Sequence, residues 1–196
     1  SKPEVMRAAV AAGAGMINDV RGLRGEGALA AAAQLGVAVV LMHMQGEPGG
    51  MQDAPAYDDV VGEVHRFLAE RIFAAEMAGI DKRRIVVDPG FGFGKTSAHN
   101  LQLLAQLRRF TELGVPVLAG LSRKKTIGEL TGREQPRARA AGSVAAHLIA
   151  AQHGAMLLRV HDVAQTVDAL KVWNAVAAVP LPRKDAGKPA ISWPDD

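Results

Sequence analysis

Ile85-Val86-Val87-Asp88-Pro89-Gly90-Phe91-Gly92-Phe93-Gly94-Lys95 is the stretch that decides the fold. It opens with three consecutive β-branched apolar residues. A continuous run of that kind predicts a strand covered on both faces, as in a parallel sheet. A lone carboxylate, Asp88, closes the strand where packing gives it no duty. The alternating glycines that follow suit a tight strand-to-helix connection, and they also leave backbone N–H groups open to a ligand. Gly94-Lys95-Thr96 imitates the end of a phosphate loop, but that motif needs a glycine five positions before Gly94. Pro89 stands there, so the phosphate loop is rejected.

The same unit recurs on both sides of this stretch. Strand-like runs occupy residues 16–20, 37–42, 115–121 and 156–160, and helical stretches occupy 28–35, 60–78, 100–113, 138–152 and 164–178. Ser1, Pro3 and Glu4 predict a capping box that starts a helix ahead of the first strand. Five strand–helix units preceded by one helix imply an α/β fold with a parallel sheet. The polar residues cluster at one place in each unit: Asn18-Asp19, His43-Met44-Gln45, Asp88, Ser122-Arg123-Lys124 and Arg159-Val160-His161-Asp162. All sit at the C-terminal ends of strands, where α/β enzymes build their sites. Five such clusters suit the rim of a (β/α)8 TIM barrel better than a single crevice. A complete barrel takes about 250 residues, against 196 here. The expectation is therefore a barrel truncated to about its last five βα units, residues 1–179. Residues 180–196, with four prolines, are expected to form a disordered tail.

Composition narrows the function. Lys and Arg number 23 against 20 Asp and Glu, a net charge of +3 that argues for no nucleic-acid partner. Aromatics make up 4%, too few for base-stacking platforms. The absence of cysteine excludes disulfides and thiolate chemistry. No 18-residue apolar run or leader pattern is present, so the expectation is a soluble, cytoplasmic protein without a membrane partner.

Asn18 and Asp88, on different strands, can offer an amide and a carboxylate to one planar heterocycle, because a carboxylate matches adjacent N–H donors. Asn18 could equally bond its own turn. Ser122-Arg123-Lys124-Lys125 is either a solvated basic face or, if a helix starts there, an anion site. Arg159 and His161 point the same way on a strand and could grip a phosphate or pyrophosphate. Alternatively, Arg159 pairs with Asp162 or Asp88. His65, His147 and His153 read as surface or passively packed, and His99-Asn100 as a helix cap.

Together these segments closely resemble the dihydropteroate synthase family. The matching stretches are 17–20, 41–46, 88–95, 122–124 with 127–128, and 159–162, in the family's order. The resemblance implies a TIM barrel that condenses a dihydropterin methyl pyrophosphate with 4-aminobenzoate, giving dihydropteroate and pyrophosphate. It implies that Asn18, Met42, Asp88, Gly120, Lys124 and Arg159 hold the pterin. Phe93, Ser122 and Lys124 would line the aminobenzoate pocket, and Arg159 and His161 would hold pyrophosphate. Lys124 and Arg159 would be the catalytic pair. Mg²⁺ is the implied cofactor, its family ligand lying in strands this chain is expected to lack, and a homodimer is implied. An inactive pterin-binding fragment and a pterin-dependent methyltransferase relative are the alternatives.

Overall fold

A computed structural model describes residues 2–46 and 55–180. Five strands alternate with helices along the chain: β1 (Met16–Asp19), β2 (Ala38–Met42), β3 (Ile85–Asp88), β4 (Val117–Ala119) and β5 (Ala155–Leu158). They form one sheet in the order β1-β2-β3-β4-β5, with every neighbouring pair parallel. Sequential order with parallel pairing requires a crossover after each strand, and helices supply it. The helices are α1 (Pro3–Ala11), α2 (Ala28–Leu35), α3 (Val60–Met77), α4 (Ser97–Ala105), α5 (Lys125–Thr131), α6 (Ala140–Gln152) and α7 (Val163–Ala177). This is the βα succession of a barrel wall, as the alternation predicts.

The two faces of the sheet are built differently. Val39, Leu41, Ile85, Val87 and Val117 are buried in the large cluster that joins sheet to helices. Val40, Val86 and Leu118 form a small apolar layer on the other face. Register then fixes where polar groups emerge. Asn18 pairs with Val40 and Val40 with Val86, while Met42 pairs with Asp88. Side chains alternate along a strand, so Asn18 and Asp88 share the inner face, with Asp88 one side-chain level nearer the mouth.

Several boundaries shift from their sequence reading. The helix expected over 100–113 starts at Ser97, capped by Thr96 with His99 completing the capping box, and ends at Ala105 in favour of a 3-10 segment over Leu107–Leu113. α5 has no counterpart among the expected helices. α1 has Lys2 as its N-cap with no side-chain cap, and Pro3 fills its first turn. Ser1, part of the loop after β2, and residues 181–196 of the expected tail lie outside the described residues.

α3 is the best-capped helix. The Asp59 side chain accepts from Gly62 N–H at 3.0 Å, and Glu63 accepts from the N–H groups of Asp58 and Asp59. Asp59→Ala is expected to cost about 1 kcal/mol, read as a melting temperature lowered by roughly 3 °C.

Candidate functional site

The mouth is assembled from the ends of β3, β4 and β5. Asp88 is 1% exposed. One carboxylate oxygen accepts from Gly90 N–H at 2.8 Å, and the other accepts from Arg159 Nη2 at 3.1 Å. Burial raises the Asp88 pKa, opposed by Arg159, the Gly90 N–H, Lys95 and Lys124. A carboxylate has about four acceptor positions, so two remain after these bonds. Gly120 makes the ion pair possible, since a Cβ there would lie 2.7 Å from Arg159 Nη2.

Arg159 and His161 both lie past the end of β5, and each is held by its own partner. His161 Nδ1 is 2.9 Å from Ser122 Oγ, and its backbone N–H donates to the same oxygen at 3.1 Å. The Arg159 pairing foreseen as an alternative is realised with Asp88. Asp162 instead takes a bidentate pair from Arg123, with Arg123 Nη2 at 2.6 Å and Nε at 3.1 Å. Arg123 occupies the left-handed region at φ 58°, costly for a side chain with a Cβ. It is held there because its N–H donates to Ser143 Oγ and its carbonyl accepts from Arg139.

Lys124 is the N-cap of α5, so the chain turns from a loop into a helix beside its ammonium. Its Nζ lies 4.2 Å from the centroid of the Phe93 ring, a cation–π contact. Burial lowers the Lys124 pKa, with Arg159 adding to the effect. Next to this pair is a cavity of about 570 Å³, lined by Gly92, Lys95, Asn100, Lys124, Thr126 and Glu129 among others.

Below the glycine-rich loop is a buried cation that the sequence did not assign. Lys95 Nζ donates to the carbonyls of Gly90 and Phe93 at 3.0 Å each, and it lies 2.9 Å from His43 Nδ1. As an ammonium it offers three N–H donors to these acceptors, with the His43 carbonyl a fourth at 3.4 Å. Burial lowers the Lys95 pKa to about 7. Burial, with Lys95 and Arg24 nearby, lowers that of His43 to about 3, so the imidazole is neutral and accepts at Nδ1. Gly90 is required here: its φ is 73°, and a Cβ would sit 1.8 Å from the His43 carbonyl oxygen.

Of the two readings open for His147, surface and passive packing, burial excludes the surface one. His147 is fully buried in α6, with Nε2 accepting from Leu121 N–H at 3.3 Å and Nδ1 donating to Ser143 O at 2.7 Å. It props the loop that leads to Ser122. Of the pair His99-Asn100 read as a cap, His99 completes the capping box of α4, whereas Asn100 is buried with both ends of its amide engaged. The remaining candidates are arranged so that Asp88 meets Arg159, Ser122 meets His161, and Phe93 meets Lys124. Met42 lies in register with Asp88, and Asn18 stands exposed on the same face one level deeper.

The family model described as "Pterin binding enzyme" matches residues 1–161. The dihydropteroate synthase of Escherichia coli K12 is 51% identical over 175 residues, covering 89% of this chain and 62% of the relative. A Xanthomonas albilineans dihydropteroate synthase solved with 4-aminobenzoic acid superposes with a TM-score of 0.87 at 76% identity, covering 91% of this chain and 63% of that one. The Xanthomonas albilineans enzyme solved with 7,8-dihydropteroate gives a TM-score of 0.87 at 75% identity, covering 91% and 65%. The chain spans about 62% of the length of the curated relative from Escherichia coli. With the matched model reaching from the first residue to the cluster after β5, this chain belongs to the pterin binding enzyme family.

Proposed function

We propose that this chain carries the pterin and aminobenzoate site of a dihydropteroate synthase. In that reaction the C–O bond of a dihydropterin methyl pyrophosphate breaks and a C–N bond forms to 4-aminobenzoate. Pyrophosphate leaves with the bonding electrons, and the amine's proton passes to solvent. The observation that carries the reading is the Asp88–Arg159 pair at 3.1 Å on the inner face of the sheet. Asp88 keeps two acceptor positions for the adjacent N–H donors of a pterin edge. Arg159 presents a flat guanidinium on which a ring can stack while its remaining donors reach a diphosphate.

The other roles follow the chemistry. Arg159 and His161 neutralise charge growing on the leaving pyrophosphate, which lowers the barrier most where solvent is excluded. Asn18 and Met42 extend the pterin slot inward, with Gly120 leaving it open. Phe93, Ser122 and Lys124 flank the aminobenzoate, and the adjacent cavity with Lys124 and Lys125 on its wall suits the benzoate carboxylate. No residue has to be activated as a nucleophile, because the aromatic amine is one already.

Mg²⁺ belongs to the proposal only as an ion that accompanies pyrophosphate. Among the described residues, no three His, Asp or Glu side chains gather as a cation site. The acceptor positions Asp88 keeps beyond Gly90 and Arg159 belong to the pterin edge in this reading, so the metal takes no ligand from it. A homodimer in the cytoplasm completes the proposal, supported by apolar side chains exposed on the late helices, such as Ile149 and Val172, and by the absence of cysteine. No helix among the described residues is long and apolar enough to cross a membrane.

The test is to titrate the chain with a dihydropterin, with and without pyrophosphate and Mg²⁺, and then to assay condensation with 4-aminobenzoate. Pterin binding strengthened by pyrophosphate is expected, with little turnover from residues 1–196 alone. No pterin binding would overturn the reading. Turnover matching a full-length relative would overturn the expectation of a weak catalyst.

A further inference from the structure

Asn100 lies at the start of α4, on the wall of the cavity beside the Phe93–Lys124 pair, yet it is 4% exposed and both ends of its amide are used. Its Oδ1 accepts from Gly92 N–H at 2.9 Å, and its Nδ2 donates to Thr126 Oγ1 at 3.0 Å. The donors fix the direction of the whole chain of bonds. A backbone N–H can only donate, so Oδ1 must face Gly92. Ser97 Oγ has one proton and gives it to the Glu129 carboxylate, which can only accept. The Thr126 hydroxyl, 3.1 Å from Ser97 Oγ, therefore donates to Ser97 while accepting from Asn100. One relay thus runs from Asn100 through Thr126 and Ser97 to Glu129.

The two ends of the Asn100 amide grip the two halves of the aminobenzoate cradle. Gly92 precedes Phe93, and Thr126 follows Lys124 by two residues. The grip is tight: a Cβ on Gly92 would sit 3.1 Å from Lys124 Cδ, and the Phe93 carbonyl is pinned from the other side by Lys95. We infer that Asn100 is a positioning residue for the arylamine, setting the spacing of the Phe93 ring and the Lys124 ammonium through Gly92 and Thr126. It touches neither the pterin pair Asp88–Arg159 nor the Ser122–His161 pair. Its influence should therefore fall mainly on the arylamine, because the pterin shares only Lys124 with this cradle among its assigned contacts. This rests on the proposed reading of the site.

The experiment compares Asn100→Ala, the nearly isosteric Thr126→Val, and the double variant. Affinities for 4-aminobenzoate and for a dihydropterin with pyrophosphate are measured by calorimetry on the same chain, alongside melting temperature. Each single change is expected to weaken 4-aminobenzoate about ten-fold, the scale of one buried hydrogen bond. Pterin affinity should move less than about two-fold, and the double variant should be no weaker than about ten-fold, since both changes break the same link. Equal weakening of both ligands, a multiplicative loss in the double variant, or unchanged 4-aminobenzoate affinity would each refute the positioning role. If Asn100→Ala does not fold, Thr126→Val carries the comparison. An unmodified chain that binds neither ligand overturns the reading of the site itself, whereas one that binds both while the variants fail to discriminate overturns only the role of Asn100.

Discussion

Replacing Asp88 with asparagine is expected to abolish pterin binding while leaving the melting temperature unchanged or higher. The two effects part company because burial is what raises the Asp88 pKa. With the folded value above the ordinary 3.8, the native state binds more protons than the unfolded chain as pH climbs through that window. The group's stabilising contribution is complete below the unfolded value and is lost as pH rises through the folded one. Above the folded value, an ionised, buried carboxylate is held at a cost, and an amide of the same shape avoids it. Arg159, 40% exposed at its side chain, returns to solvent without stranding a buried charge. The ligand loses more. Two charge-assisted hydrogen bonds to the heterocycle, each worth roughly 1.5–3 kcal/mol, become at best one neutral bond and one clash between donors. Pterin affinity should fall at least about a hundred-fold by this account. Calorimetric titration beside a thermal melt checks both halves. Retained pterin affinity would remove Asp88 from the site, and a large drop in melting temperature would make its role structural.

Lys95→Met carries the opposite signature, a large loss of stability. Methionine fills similar space but leaves the carbonyls of Gly90 and Phe93 and the Nδ1 of His43 without a donor in a buried place. Three stranded buried acceptors at about 1–3 kcal/mol each sum to roughly 3–9 kcal/mol, and release from burying the ammonium offsets part of it, leaving roughly 3–5 kcal/mol. For a chain of this length that corresponds to a melting temperature lower by about 10 °C or more. The gap should also depend on pH. Lys95 has a folded pKa of about 7 against an ordinary 10.5. Between those values the unfolded state binds more protons, so the unmodified chain gains stability as pH rises, by up to about 1.4 kcal/mol per unit. The methionine variant lacks that gain. Denaturant melts at pH 7 and pH 9.5 should show the difference widening, and a constant gap would contradict the assignment.

How much of this was legible in the sequence differs from residue to residue. The strands announced themselves because β-branched runs such as Ile85-Val86-Val87 have one economical environment, and the polar tips after them pointed to the mouth. The Asp88–Arg159 pair was legible as a possibility only, since 71 residues separate the partners. α5 was hidden by its composition: seven residues with a glycine at 128 and a single lysine, Lys125, behind the Lys124 N-cap carry little helical signal. Its last residue, Thr131, donates to the Ile127 carbonyl inside the helix, and Arg139 fixes the carbonyl of Arg123 just ahead of it. His147 had a readable clue that went unused. Ser143, His147 and Ala150 recur at i, i+4 and i+7 on one face of α6, and all three are buried. Asn100 and Lys95 had none, because Thr126 and His43 lie 26 and 52 residues away, one in the unforeseen α5 and one just past β2, where no local pattern foretells the meeting.

The twin fastenings between the turn after β4 and the turn after β5, Ser122 to His161 and Arg123 to Asp162, make those two turns a single plate. On the proposed reading, the groups that receive the departing diphosphate and the lysine that faces the entering amine are mounted on that plate together. Nucleophile and leaving group are then aligned by the scaffold before either arrives, and much of the entropic barrier to bringing them into line is met during folding instead of at each encounter.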